Sequence, residues 1–145
     1  MIKRILIPVD FSPDSARAAK WGLNLCEQIA GEILMVTVLD VGDLRVAMNA
    51  GLHGFDTHED VRRQVHEWIE REYAKIIPPD AKRVRRDIRR GVVEQEIAEA
   101  AQQYEADLIV IGATGFGKSG TLGSKTEYLM RRCGVPVTVV HTGQR

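Results

Sequence analysis

The sequence predicts an α/β domain over residues 1–145, in which a Rossmann-like parallel sheet lies between two layers of helices. Short continuous apolar runs alternate along the chain with segments whose apolar residues recur at helical spacing. Continuous apolarity is typical of strands buried on both faces, and right-handed crossovers then join such strands into a parallel sheet. The chain has 145 residues, 44% hydrophobic and 28% charged, which is the composition of one globular domain.

Five segments have the pattern of strands. The third differs from the rest, because six basic side chains surround Val84 and Ile88. Such charges protect an edge strand from pairing with other chains. The alternative, a nucleic-acid surface, would favour an excess of positive charge, whereas the formal net charge is zero. The predicted strands are 5–10, 33–39, 82–90, 107–111 and 136–140, in the spatial order 3-2-1-4-5.

Four helices are expected between these strands, two on each face of the sheet. Ser12 is the predicted N-cap of the first helix, Pro13 suits its first position, and Gly31 is its predicted end. The second helix extends from about Val61 to Ile76, before Pro78-Pro79, and the third covers Val93–Tyr104. The fourth begins at Ser124, with Glu127 completing a capping box, and ends at Gly134. The stretch Val41–Thr57 is predicted to be a long loop.

The sequence offers no membrane or disulfide signal. No apolar run reaches the roughly 18 residues that span a bilayer. The start of the chain does not resemble a signal peptide. The two cysteines, Cys26 and Cys133, lie in segments that read as helix, which suits a reducing cytoplasm. His53, His58 and His66, with Asp43 and Asp56, match no metal-ligand spacing, and we expect no metal there.

A ligand site is expected where the winding of the sheet reverses, between the first and fourth strands. Two loops meet there, Pro8–Ser12 and Gly112–Ser124. The second holds five glycines, one lysine and three hydroxyls before a helix N-terminus. Exposed backbone N–H groups and a helix dipole form an anion site. A nucleotide with its phosphates over the second loop is the expected occupant.

Residues 112–119, Gly-Ala-Thr-Gly-Phe-Gly-Lys-Ser, also match the phosphate-loop pattern of nucleoside triphosphatases. Three features argue against that fold. Gly120 follows where a helix should begin, only 26 residues remain after Ser119, and the last strand is followed by His141 rather than by an aspartate. A phosphate-loop hydrolase therefore stays an alternative only.

Over essentially its whole length the chain resembles the universal stress protein family. The matching residues are Ile5–Ser12, Val38-Leu39-Asp40, Gly91, Ala106–Gly112, and Leu122-Gly123-Ser124 with Val135-Pro136-Val137. The ATP-binding members of the family carry Gly, two residues, Gly, nine residues, then Gly-Ser or Gly-Thr. Here seven residues separate Gly115 from Gly123, so the loop is two residues shorter. Because the family includes members that bind no nucleotide, a nucleotide-free homodimeric interaction module of the same fold is the alternative.

The resemblance implies a cytoplasmic stress-response or regulatory protein that binds ATP, with or without Mg²⁺. Hydrolysis would be slow or absent, because no residue is an obvious base for an attacking water, and no catalytic residue is assigned. By resemblance, Pro8, Val9 and Asp10 meet the adenine and ribose, Val38 packs on the adenine, and Ile111 and Gly112 line the ribose and first phosphate. Gly115, Gly123, Ser124 and Lys125 hold the phosphates, and Lys118 adds a further phosphate contact.

The last strand is apolar and lies at a predicted sheet edge, where unpaired backbone groups invite another strand. We expect Val137, Val139 and Val140 to pair antiparallel with the same strand of a second copy. The family resemblance also suggests such a homodimer.

Overall fold

The computed structural model describes residues 1–39, 58–113 and 124–141, with the backbone alone for 58–62 and Ser124. Within these ranges one parallel sheet has the order β3-β2-β1-β4-β5, which confirms the predicted fold class and strand order. The strands are β1 (Arg4–Pro8), β2 (Glu32–Leu39), β3 (Val84–Arg90), β4 (Leu108–Gly112) and β5 (Val137–Val140). The helices are α1 (Pro13–Ile29), α2 (His58–Ile76), α3 (Val93–Tyr104) and α4 (Ser124–Arg132).

Strand β1 is the centre of the sheet. Ile5 is in register with Ile33 of β2 on one side and with Leu108 of β4 on the other. The predicted adjacency of the first and fourth strands is therefore confirmed. Because all the paired strands are parallel, their carboxyl ends lie along the same edge of the sheet.

The continuous apolar runs supply two separate cores. Side chains of a strand point alternately to opposite faces. Ile5 and Ile7 pack with residues of α1 and α2, whereas Leu6 between them packs with residues of α3 and α4. All three are fully buried. Both faces of β1 must therefore be apolar, which is why its sequence does not alternate.

The two ends of α1 differ in how well the sequence predicted them. Ser12 is the N-cap, and its Oγ accepts a hydrogen bond of 3.1 Å from the Ser15 amide. The expected glycine end was wrong in position, because Ala30 takes the left-handed conformation at φ 52°. Gly31 is required for another reason: a Cβ there would lie 2.7 Å from the Lys3 carbonyl oxygen.

A buried hydrogen bond joins α2 to the sheet. The hydroxyls of Tyr73 in α2 and Thr37 in β2 bond to each other, and Tyr73 is completely buried. Burial raises the pKa of the Tyr73 hydroxyl to about 12. This pair fixes the height of α2 above the sheet, because each hydroxyl would otherwise be buried without a partner.

The basic strand β3 lies at one edge of the sheet, as predicted. Its arginines pair with acidic side chains of the helices on both faces. Arg86 forms an ion pair with Glu70 of α2, and Arg89 Nε donates to Glu96 of α3 at 3.1 Å. Part of the basic run is therefore neutralised within the domain.

Both cysteines are free and buried, Cys26 in α1 and Cys133 one residue beyond α4, so the expected helical position of Cys133 was wrong by one residue. None of the helices in the described part of the chain is both long and apolar enough to cross a membrane. Among the same residues, no group of three metal-ligating side chains comes together. His53, Asp43 and Asp56 lie outside the described residues.

We expect Tyr73→Phe to lower the free energy of unfolding by about 1–2 kcal/mol, because it leaves the Thr37 hydroxyl buried without a partner. Urea denaturation of Tyr73→Phe, Thr37→Val and the double variant measures the coupling. The double variant should cost less than the two single changes together. Tyr128→Phe on the partly exposed face of α4 is the matched control and should change little. Strict additivity would mean that the two hydroxyls do not interact.

The same pair predicts a pH dependence. The pKa of Tyr73 is raised from 10.0 to about 12 in the folded chain, so the unfolded chain loses this proton first. Stabilisation by the protonated phenol is complete below pH 10 and falls between pH 10 and pH 12. The stability difference between the wild type and Tyr73→Phe should shrink over that interval and stay constant below it.

Candidate functional site

The candidate site lies at the carboxyl-end edge of the sheet, where β1 and β4 are neighbours. The chain leaves β1 through Val9–Ser12 and enters α1, and β4 ends at Gly112. The amide of Val9 donates to the Val36 carbonyl at 2.8 Å, so β1 stays attached to β2 up to the turn. This edge is where ligands bind in open α/β sheets.

Asp10 supplies an oriented carboxylate at this edge. The residue is exposed, and its Oδ1 accepts a hydrogen bond of 2.9 Å from the Ser12 amide. Ser12 in turn caps α1. The turn therefore fixes the Asp10 carboxylate relative to the helix, as expected for a binding group that must be positioned before its ligand arrives.

An aromatic cluster holds the residue after Asp10. Phe11 has a φ of 64°, a left-handed conformation that costs a non-glycine residue free energy. Its ring packs edge-on against Trp68 at 5.3 Å and against Tyr73 at 5.2 Å, measured between centroids. These contacts with α2 offset the backbone strain and connect the turn after β1 to that helix.

Gly112 brings the end of β4 against the first turn of α1. A Cβ at this position would lie 2.8 Å from the Asp14 carbonyl oxygen. The missing side chain of Gly112 therefore admits α1, and its place beside the ribose and first phosphate stays a prediction. Its backbone stays at the edge of the sheet, where the Ala113 amide donates to the Val140 carbonyl at 3.1 Å.

Four of the predicted site residues in the described ranges have buried side chains. Pro8 is buried, Val9 is 2% exposed and Ile111 is 1% exposed, so these residues can offer a ligand only backbone groups. Val38 is 9% exposed and packs in the core beneath α3 and α4. Asp10 is therefore the one exposed member of the predicted adenosine-binding set within the described residues.

The start of α4 brings polar residues to the same edge. Ser124 is its first residue, and Lys125 is half-buried. Thr126 is 1% exposed, and its hydroxyl has no hydrogen-bond partner among the described residues. The sequence did not indicate a role for Thr126 or Phe11. The spacing between Thr126 and Leu129 is helical, which predicts that Thr126 is buried but does not predict a contact with a ligand. Gly115, Lys118 and Gly123 lie outside the described residues.

Charge is distributed unevenly across this edge. Asp10 lies on the α1 side, together with Asp14, which forms a 2.6 Å ion pair with Arg17. Lys125 lies on the α4 side, at the positive end of that helix dipole. A ligand with hydroxyl groups at one end and negative charge at the other matches this arrangement.

Comparison with known proteins identifies relatives along the whole chain. The model of the universal stress protein family matches residues 1–141. Universal stress protein G of Shigella flexneri is 31% identical over 148 residues, covering 97% of this chain and 99% of that protein. A universal stress protein of Methanocaldococcus jannaschii is 28% identical over 144 residues, covering 97% of this chain and 82% of the relative.

Solved structures share the fold at lower identity. Hypothetical protein MJ0577 superposes with a TM-score of 0.77 at 24% identity, covering 100% of this chain and 99% of that one. A universal stress protein in complex with cAMP gives a TM-score of 0.64 at 19% identity, with 98% of each chain covered. A universal stress protein family protein of Arabidopsis thaliana with AMP bound gives a TM-score of 0.59 at 16% identity, covering 96% of this chain and 91% of that one.

Two glycines test the contact between β4 and α1. Gly112→Ala places a Cβ 2.8 Å from a backbone oxygen, and we expect it to lower the free energy of unfolding by about 1–3 kcal/mol. Gly22→Ala meets only the tip of the Ile7 side chain and gains helix propensity of about 1 kcal/mol, so its net cost should be smaller. Urea denaturation of both variants measures the two losses of stability. A larger loss for Gly22→Ala than for Gly112→Ala would show that α1 can move away from β4.

Proposed function

The chain belongs to the universal stress protein family, and on that premise we propose that it is a cytoplasmic stress-response or regulatory protein that binds ATP. The nucleotide would lie across the carboxyl ends of β1 and β4. The observation that carries the proposal is the oriented, exposed carboxylate of Asp10 at the point where these two strands are neighbours. A switch point of this kind is the usual ligand position in open parallel sheets.

The adenosine end is assigned to the β1 side. A carboxylate accepts hydrogen bonds from hydroxyl groups, and ribose supplies two adjacent ones. Oδ1 of Asp10 already accepts from the Ser12 amide, and each carboxylate oxygen has further lone pairs. The buried backbone of Pro8 and Val9 would form the wall beside the base, and Val38 would contact it by its small exposed fraction.

The phosphate end is assigned to the α4 side. The first-turn amides of α4 and the Lys125 ammonium group favour negative charge. The buried Thr126 hydroxyl, which no described group satisfies, lies in the same turn. The Asp10 carboxylate would repel phosphates from the opposite side, which supports this direction of binding. Relatives crystallised with cAMP and AMP support an adenine nucleotide in this fold.

The proposed role is binding rather than catalysis, with ATP hydrolysis slow or absent. At the carboxyl end of β1, Asp14 is paired with Arg17, and Asp10 is assigned to binding the ribose. Mg²⁺ would accompany the phosphates when ATP is bound. The free thiols of Cys26 and Cys133 support the cytoplasmic assignment, because that compartment keeps thiols reduced.

The binding test uses Trp68, which touches Phe11, as a fluorescent reporter. Trp21→Phe removes the other tryptophan, so titration with ATP or AMP should change the remaining emission. Asp10→Asn keeps an oxygen for the Ser12 amide but removes the charge, and we expect it to weaken both nucleotides roughly tenfold. Asp80→Asn, exposed at the opposite edge of the sheet, is the matched control.

The runner-up function, a nucleotide-free interaction module, predicts a different result. Its support is the loop that is two residues shorter than the family pattern. Protein purified without added nucleotide and then denatured would release no adenine nucleotide. The Trp68 emission would also stay unchanged at millimolar ATP, with and without Mg²⁺. Turnover of ATP abolished by Lys118→Ala would instead favour the phosphate-loop hydrolase.

We also propose that the protein is a homodimer formed by β5. This strand lies at the second edge of the sheet, and Val137, Val139 and Val140 are partly exposed there. An apolar edge with unpaired backbone groups is protected when a second copy pairs with it.

Sedimentation equilibrium tests the dimer. Val139→Lys should shift the protein to monomer, because it places a charge within the proposed contact. Val92→Lys, at a residue 49% exposed and away from the β5 edge, should stay dimeric. Circular dichroism confirms that both variants are folded. A Val139→Lys dimer of unchanged mass would remove β5 from the interface.

A further inference from the structure

A groove separates α1 from the end of α2, and its lining contains none of the residues assigned to the nucleotide. Its volume is about 790 Å³, within the range of small-molecule sites. Its lining includes residues of α1 from Ala16 to Ala30, a helical length of about 21 Å at 1.5 Å per residue. The groove is therefore long, and an extended ligand matches it better than a compact one.

The inner surface of the groove is apolar. Leu23 and Cys26 of α1, Ile76 at the end of α2, and Val84 at the start of β3 line it. Leu23, Ile76 and Val84 are only partly buried, although they pack against the core between the sheet and these helices. Burial raises the pKa of the Cys26 thiol, so this side chain presents a neutral, apolar surface. Covering these side chains would bury further apolar area.

The rim of the groove carries an excess of positive charge. Lys20, Lys75, Lys82 and Arg83 line it, against Glu27 and Asp80. Arg83 is anchored, because its guanidinium donates to the Ala30 carbonyl at 2.6 Å, a bond that leaves its charge unneutralised. Lys75 is paired with Glu72 at 3.0 Å, whereas Lys82 forms no ion pair with the described residues.

We propose that this groove binds an amphipathic carboxylate, a medium-chain fatty acid. The alkyl chain lies along Leu23, Cys26 and Ile76, and the carboxylate lies beside Arg83 and Lys82. Charge complementarity selects an acid over a neutral ligand, and Arg83 is held in place before binding, which lowers the entropic cost. This site uses none of the residues assigned to the nucleotide.

The test compares decanoate with decanol by isothermal titration calorimetry. Decanoate should bind the wild type saturably below about 1 mM, and decanol, which lacks the charge, should bind more weakly. Lys82→Gln/Arg83→Gln should weaken decanoate roughly tenfold and leave decanol unchanged. Arg131→Gln/Arg132→Gln removes the same charge from the exposed end of α4 and should leave both ligands unchanged.

A second pair of variants tests the position of the alkyl chain. Asn24→Trp places an indole in the groove and should abolish decanoate binding. Gln28→Trp, one turn further along α1 and outside the groove lining, is the control and should bind normally. Decanoate should also slow alkylation of Cys26, measured on its own peptide by mass spectrometry, while alkylation of Cys133 stays unchanged.

Three results would overturn the proposal. Wild-type protein that takes up no decanoate at 1 mM would show that the groove has no affinity for this class. Equal binding by wild type and Asn24→Trp would place the acid elsewhere. Equal affinity for decanoate and decanol would show that the basic rim does not contribute to binding the carboxylate. Melting curves of every variant separate these outcomes from loss of folding.

Discussion

The contact between Gly112 and the first turn of α1 determines where the candidate site lies. A backbone atom of Asp14 fills the space that a side chain at 112 would need, so the end of β4 is fixed against the start of α1. That start carries the Ser12 cap and, through it, the oriented Asp10 carboxylate. The ends of β1 and β4 therefore meet the start of α1 at one closely packed point.

Local signals made most of the fold predictable from the sequence. The Ser12 cap depends only on neighbouring residues, and the strand order follows from continuous apolar runs joined by right-handed crossovers. The helix ends were less predictable. Ala30 and Glu105 take left-handed conformations that favour glycine, and in each the cap amide bonds to carbonyls of the preceding turn. At these two positions an alanine and a glutamate stand where a glycine would have marked the helix end.

The site was predictable in position and only partly in composition. Asp10 could be predicted from its own stretch of sequence, because it follows a buried strand at the switch point. Phe11 depends on Trp68 and Tyr73, more than fifty residues away along the chain, so its role appears only in the folded protein. The groove likewise could not be predicted from the sequence, because it depends on the distance between α1 and the end of α2 in the folded chain.

Helix α2 connects two distant parts of the molecule. Trp68 touches the turn beside Asp10, and Ile76, two turns later in the same helix, forms a wall of the groove about 12 Å away at 1.5 Å per residue. The buried Tyr73–Thr37 bond lies between these two contacts on the same helix. If the proposed nucleotide and an acid bound in the groove change each other's affinity, thermodynamic reciprocity requires the two effects to be equal.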